Sequence, residues 1–440
     1  MAESETTVPS ARTLSAVTFA AGFGGFIEYF DLFIATFAGI IVWPKLFFAG
    51  VPPNYAIAYS LASVGITFLV RPFGGFIFGH IGDKTGRRNT LVVTLAILGI
   101  SVFGIGLLPD YLAIGITAPI LLFLFRALFG LGLGGEYGGA VSWILEFAGA
   151  RKSKRRSFWA VWAAPANIGL TVAGVVFGIA AASPSFLFSY GWRIPFIVGG
   201  LMIVVAFIVR MKLEESPLFK SVAERGAVDR TPAIDMLKKH WKTVAALAII
   251  TGAIQGGVTT SIVTPFSIGY LAIKGVSPSF ASYGISLANA LGIITFLAGP
   301  YFTEKLGRRR HLFISILWCL FSVIVFFPLL NTLNPMLILL AYILVEVQVG
   351  FNNSAIQTIL GESFPTKYRY SGSGFTYQLG NGFIVGTIVS FLLPALVVGV
   401  GGTLSAAPYL AAVTAVWILI ALASLTVVKE TKGIDLAREA

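Results

Sequence analysis

Gly79-His80-Ile81-Gly82-Asp83-Lys84-Thr85-Gly86-Arg87-Arg88 is a charged, glycine-punctuated stretch set between two long apolar runs. Each flank, 55–79 and 89–108, is about as long as a helix needs to cross a bilayer core, roughly 20 residues. The ten residues therefore read as a tight turn joining two membrane helices. The text returns in weaker form as Pro300-Tyr301-Phe302-Thr303-Glu304-Lys305-Leu306-Gly307-Arg308-Arg309, with an acid and then Gly-Arg-Arg at the same spacing. A motif repeated in two halves of a polytopic chain points to a transporter built by duplication.

Working outward, the composition agrees. Of the 440 residues, 56% are hydrophobic and 11% charged, against about 25% charged in a soluble domain. Apolar runs near 15–42, 55–79, 89–108, 117–147, 158–182, 192–212, 243–271, 280–302, 311–330, 335–360, 371–399 and 406–428 predict about twelve crossings. The predicted fold class is an all-α integral membrane protein with about twelve transmembrane helices in two six-helix halves. The expected division is 1–212 for the first half, 213–242 for a charged linker with Pro217 and Pro232, 243–428 for the second half and 429–440 for a tail.

The net charge of +12 would suit nucleic acid, but its placement does not. With both termini cytoplasmic, 26 of the 31 Lys and Arg fall in the tails and in loops on one side, as the positive-inside rule expects. The basic excess is a topology signal and a contact for anionic membrane lipid, and no nucleic-acid partner is expected. The expected location is the cell membrane, multi-pass. Cys319 is the single cysteine, so no intrachain disulfide is possible. There is no Walker-type Gly-Lys-Ser/Thr, no His-Glu-x-x-His and no Cys cluster. No cofactor or metal is expected, and a membrane enzyme is disfavoured. Trp43 and Trp192 suit the outer interface and Trp241 the inner one.

A second feature repeats. Glu146 ends the helix before the basic loop 148–157, and Glu362 holds the corresponding place at the start of 361–370, with its Lys367 and Arg369. Asp83, Arg87, Arg88 and Glu146, with Glu304, Arg308 and Glu362, are thus paired charges at the cytoplasmic ends of helices.

Charges at membrane depth need a reason, since each costs about 2.5–3.5 kcal/mol on insertion scales. The acids there are Glu28, Asp31, Glu136 and Glu346; the bases are Arg71 and Arg126. Glu28 and Asp31 are i, i+3 and share a face, so mutual repulsion should favour a proton on one of them. The three histidines fall in or beside loops, leaving carboxylates as the proton sites. Arg126 has two competing roles: an ion pair with Glu28, Asp31 or Glu136 that protonation releases, or a grip on a substrate carboxylate. Arg71 lies nearer the cytoplasmic end and has room to snorkel. The second half supplies amides. Glu346, Asn353 and Gln357 share a face of the tenth crossing, Tyr377, Gln378 and Asn381 cluster in the eleventh, and Gln255 and Asn289 lie on the seventh and eighth. Singly these amides suit helix–helix hydrogen bonds; together they suit a polar cavity between the halves.

The turn 79–88 resembles the signature between the second and third helices of the major facilitator superfamily. Glu28-Tyr29-Phe30-Asp31, Arg71-Pro72-Phe73-Gly74-Gly75, Gly134-Gly135-Glu136-Tyr137, Gly191-Trp192-Arg193-Ile194-Pro195-Phe196 and Glu214-Glu215-Ser216-Pro217 resemble its metabolite–proton symporter branch, which carries organic acids and zwitterions such as proline and betaine. Glu-Ser-Pro and Glu430-Thr431-Lys432-Gly433 also resemble sugar porters. Arg126-Ala127-Leu128-Phe129-Gly130 resembles the fourth-helix arginine motif of proton-coupled members. Ala164-Pro165-Ala166-Asn167-Ile168-Gly169 partly resembles the antiporter motif, with Ala in place of its first Gly. The resemblance implies proton-coupled symport of a small polar metabolite, most simply a monocarboxylate or zwitterion, by alternating access in a monomer. It also implies a lock between the halves at the cytoplasmic charges. A sugar or polyol porter, an efflux antiporter and a non-transporting nutrient sensor are the alternatives.

Overall fold

The computed structural model describes residues 8–180, 183–255, 264–388, 400 and 402–436. Their regular elements are helices, with no strand among the described residues. In lipid the backbone must satisfy its own hydrogen bonds, and a helix does so within one segment. The elements used below are α1 (Ala11–Ile41), α2 (Pro53–Thr85), α3 (Arg87–Leu107), α4 (Thr117–Ala150), α5 (Arg156–Ala160), α6 (Ala166–Ala180), α7 (Arg193–Met211), α8 (Pro217–Glu224), α9 (Pro232–Ile254), α10 (Thr264–Ile273), α11 (Pro278–Leu306), α12 (Arg308–Asn331), α13 (Pro335–Glu362), α14 (Arg369–Tyr377) and α15 (Thr403–Ser424).

Ten of the expected crossings are present among the described residues as helical segments long and apolar enough to span a membrane. The other two, expected at 243–271 and 371–399, run into 256–263 and 389–399, which lie outside the described residues. α9 and α10 flank the first of these segments, and α14 leads toward the second. The chain is a multi-pass membrane protein. Its internal repeat shows in the packing: α2 lies against α4, and α11 against α13.

The quoted turn is a single residue. Gly86 separates α2 from α3 at φ 116° and ψ 154°, and Gly307 separates α11 from α12 at φ 94° and ψ 162°. That backbone region is open essentially to glycine alone. A Cβ on Gly86 would also collide with the Glu215 carboxylate, and one on Gly307 would stand 2.6 Å from Glu430 Oε2. Gly86→Ala is expected to destabilise the protein by about 1–3 kcal/mol, seen as a lower thermal midpoint in detergent. An unchanged midpoint would show that the turn relaxes freely.

Several expectations need correction. The fifth crossing is not continuous over 158–182. Pro165 lacks an N–H and breaks it into α5 and α6 through a short 3-10 turn at Val161–Ala163. α9 begins at Pro232 rather than near 243, and the linker folds as α8, with Leu218, Phe219 and Val222 buried. The tail is docked: Leu436 is buried against Gly149. Trp43 and Trp192 do not face lipid; both are fully buried and pack with Phe196 and Phe47. Trp241 is 59% exposed, in keeping with an interfacial anchor. Arg71 does not snorkel, and Arg210, counted among the loop charges, is fully buried.

Candidate functional site

Among the described residues, three buried ion pairs of the first half lie at membrane depth. Asp31 of α1 receives both terminal nitrogens of Arg126 of α4, at 2.9 and 3.1 Å. Glu28 of α1 pairs with Arg71 of α2, and Glu136 of α4 pairs with Arg210 of α7. All six side chains are at most 2% exposed. A pair that loses one member in such a place leaves an uncompensated charge costing about 3–5 kcal/mol. The repulsion expected between Glu28 and Asp31 is relieved because each faces its own guanidinium. Of the two roles open to Arg126, the structure holds the ion pair, and its partner is Asp31. Glu136 is further braced by Thr94 Oγ1 at 3.1 Å, while Arg210 also donates to the carbonyls of Ala20 and Ala21. Glu346 is buried on α13, apart from these pairs, with its carbonyl facing Gly292 of α11.

Polar side chains of the second half meet the first half at membrane depth. Arg71 Nε donates to Gln378 Oε1 at 2.7 Å, and Gln378 Nε2 donates to the Leu133 carbonyl at 3.2 Å. The Tyr29 and Tyr377 hydroxyls are 2.8 Å apart, Asn381 donates to Tyr377 at 2.9 Å, and the Tyr137 and Tyr377 rings stack at 3.6 Å. Tyr137 donates to Gln357, whose Nε2 donates to Asn353 Oδ1 at 2.8 Å; Gln255 donates to the same oxygen at 2.6 Å. Asn353 Nδ2 then reaches the carbonyls of Val161 and Ala164, at 3.3 and 3.1 Å. These carbonyls also accept the Ala164 and Ala166 amides, at 3.5 and 2.9 Å, so the Asn353 amide adds a cross-half donor where Pro165 interrupts the helix. Asn167 donates to Asn289 Oδ1 at 3.3 Å. All eight residues expected at the substrate site except Arg126 thus join one cross-half set; Arg126 stays with Asp31.

At the basic face the charges form two copies of one arrangement. In the first copy, Asp83 of α2 caps the start of α14 by accepting from the Tyr370 and Ser371 amides at 3.1 and 2.9 Å. Arg87 forks onto Glu146, which also receives Arg369 of the opposite half at 3.2 Å and the Ser216 hydroxyl. Glu215 caps α3 through the Arg87 and Arg88 amides, at 3.0 and 3.1 Å. In the second copy, Glu304 caps α5 through Ser157 N at 2.8 Å, and Arg308 forks onto Glu362 at 3.0 and 3.1 Å. Glu362 also receives Arg156 of the opposite half at 2.8 Å and Thr431 at 2.6 Å. Glu430 caps α12 through the Arg308 and Arg309 amides, both at 3.0 Å. Burial pushes the Glu215 carboxyl above the ordinary glutamate range, while the Ser216 amide, the Arg87 charge and the Arg87 amide pull it back.

Arg88, grouped with the cross-half charges from sequence, is a correction. Its guanidinium donates to the Met211 carbonyl within its own half. Its place across the halves is taken by Arg156 and Arg369. Sequence reasoning gives no site role to Arg210, and it reads Glu215, Ser216, Glu430 and Thr431 only as family-like motifs. A usable signal existed: Glu215-Ser216 and Glu430-Thr431 stand 215 residues apart (430 − 215), close to the 216 of Glu146 and Glu362 (362 − 146).

Comparison with known proteins identifies the family. The family described as Major Facilitator Superfamily matches residues 21–387. The inner membrane metabolite transport protein YhjE of Escherichia coli (strain K12) is 35% identical over 373 residues, covering 81% of this chain and 82% of the relative. The shikimate transporter of the same organism is 31% identical, covering 85% and 86%. The proline/betaine transporter of Salmonella typhimurium is 28% identical, covering 89% and 78%. Among solved structures, the proton:xylose symporter XylE bound to 6-bromo-6-deoxy-D-glucose superposes with a TM-score of 0.76 at 16% identity, covering 98% of this chain and 99% of that one. At that identity the likeness speaks to fold alone.

Proposed function

Because this chain belongs to the major facilitator superfamily, and so is a membrane transporter rather than an enzyme, we propose that it is a proton-coupled symporter of a small monocarboxylate or zwitterion. It works as a monomer in the cell membrane with both termini cytoplasmic, and its halves rock about a central site. The observation that carries this reading is the Asp31–Arg126 pair: a two-pronged ion pair, fully buried at lipid depth, where a charge without function is costly. Asp31 takes the proton first and releases Arg126. Glu28 lies one turn deeper on the same face of α1 and takes it next. The cross-half set of Gln255, Asn289, Asn353, Gln357, Tyr377, Gln378 and Asn381 surrounds the substrate. The cytoplasmic lock, made of Asp83, Arg87, Glu146, Glu304, Arg308 and Glu362 with Arg156 and Arg369, opens when the loaded site turns inward.

The names of the shikimate and proline/betaine relatives support a carboxylate-bearing substrate. The test is reconstitution in liposomes holding a pH-sensitive dye, with shikimate, L-proline, glycine betaine and D-xylose added singly and empty liposomes as control. Internal acidification with one of the first three, matched by uptake of labelled compound, is the expected result. Acidification with xylose alone would assign a sugar porter. Exchange of preloaded substrate without proton entry would remove proton coupling.

A further inference from the structure

Three arginines of the first half are buried at membrane depth, and they differ in what they touch. Arg126 has both terminal nitrogens on Asp31 and lies against the Trp43 and Phe129 rings of its own half. Arg210 is spread over Glu136 and carbonyls of α1 and α3. Among the described residues Arg71 alone of the three reaches the opposite half, through Gln378, and a single nitrogen holds it to Glu28. A substrate bound between two rocking halves has to be gripped by groups that face both of them.

On the symport reading above, we propose that Arg71, rather than Arg126, receives the substrate carboxylate, in exchange for Glu28 when that acid takes the proton. The charge balance enforces coupling. The empty site holds Glu28 as carboxylate and Arg71 as guanidinium, so the pair is neutral. With a monocarboxylate bound, the loaded site holds Glu28 as neutral acid, Arg71 and the substrate carboxylate, which again sum to zero; a zwitterion would add its own cation, so the exchange takes the monocarboxylate arm of the proposed function. A site with the proton alone carries an extra positive charge, and one with the anion alone an extra negative charge. Both are penalised in a dry interior, so proton and carboxylate enter together. The other ionisable groups near Glu28 are Asp31 and Tyr29 on its own helix, Glu136 and Tyr137 on α4, and Tyr377 of α14, and Asp31 is already paired with Arg126. Arg210 neutralises Glu136, and the tyrosines stay protonated at working pH. The exchange therefore falls to Glu28 and Arg71.

The test compares Glu28→Gln with Glu28→Gln/Arg71→Gln, a double variant that removes both charges together and leaves no buried charge unpaired. Equilibrium binding is measured with the purified variants from pH 5.5 to 8.5, using labelled shikimate, with its methyl ester as competitor. Glu28→Gln is expected to bind the acid with an affinity independent of pH. The double variant is expected to bind the acid roughly tenfold to a hundredfold more weakly, the loss of a hydrogen bond to a charged group, with ester competition unchanged. Equal affinity for the acid in the two variants would overturn the assignment of Arg71. Binding is read without flux, so failure of proton entry in the unaltered protein would count against symport separately.

Discussion

Asp31→Asn is expected to abolish substrate accumulation while leaving exchange in place. An inward gradient of two pH units supports roughly a hundredfold accumulation of a substrate that enters with one proton, since each tenfold is about 1.4 kcal/mol. With Asn at 31 the internal concentration should rise only to the external one. The physical reason is the pair itself. Asp31 receives two nitrogens of Arg126 and has almost no exposure, so its protonation changes the charge of a dry compartment. An amide keeps the shape and an acceptor for Arg126 but cannot cycle a proton. Counterflow between preloaded and external substrate needs no proton cycle and should survive. Full accumulation by the variant would take Asp31 out of the proton path and leave Glu28 as the entry point.

Glu146→Ala should have the second large effect, on the closed basic face. Glu146 receives Arg87 from its own half and Arg369 from the other, together with the Ser216 hydroxyl. Without it Arg369 loses this carboxylate and Arg87 keeps Asp83 at 3.2 Å, a loss of at most about 3–5 kcal/mol. The cost is reduced once rocking wets them, so the equilibrium shifts toward an open basic face. A population ratio of 99:1 is reversed by about 5.5 kcal/mol, so a shift of this size is large. The readout is maleimide labelling of a cysteine placed at Ser373, which is buried between α4 and α14, in a Cys319→Ser background. Labelling from the basic side should be at least tenfold faster with Ala at 146, about 1.4 kcal/mol of the expected shift. Equal rates in the two proteins would show that Glu146 does not hold this face shut. The duplicated arrangement predicts a parallel effect for Glu362→Ala.

The parts of this site that could be read from sequence share one property: they are local. The turn at Gly86, its repeat at Gly307 and the acids Glu146 and Glu362 were found because each sits at a fixed step from its neighbours. The same rule failed where a group acts at a distance. Arg88 follows Arg87 in the motif, yet it bonds backward onto Met211 while Arg369, from a loop noted only for its charge, enters the lock. Arg210 looked like one more loop cation because it ends an apolar run. Only the approach of α7 to α4 shows it as the partner of Glu136.

The sequence by itself determined the helices, most of their boundaries, the duplication and which residues at membrane depth carry charge. In lipid each helix closes its own hydrogen bonds, so its existence depends on its own stretch of chain. The tertiary structure decided the pairing. Four acids and two arginines expected in the membrane allow many matches, and α1 presents Glu28 and Asp31 on one face. The positions of α2 and α4 around that face send Arg71 to one acid and Arg126 to the other. Spacing along the chain cannot fix that choice, because a Coulomb contact depends on the distance between helices.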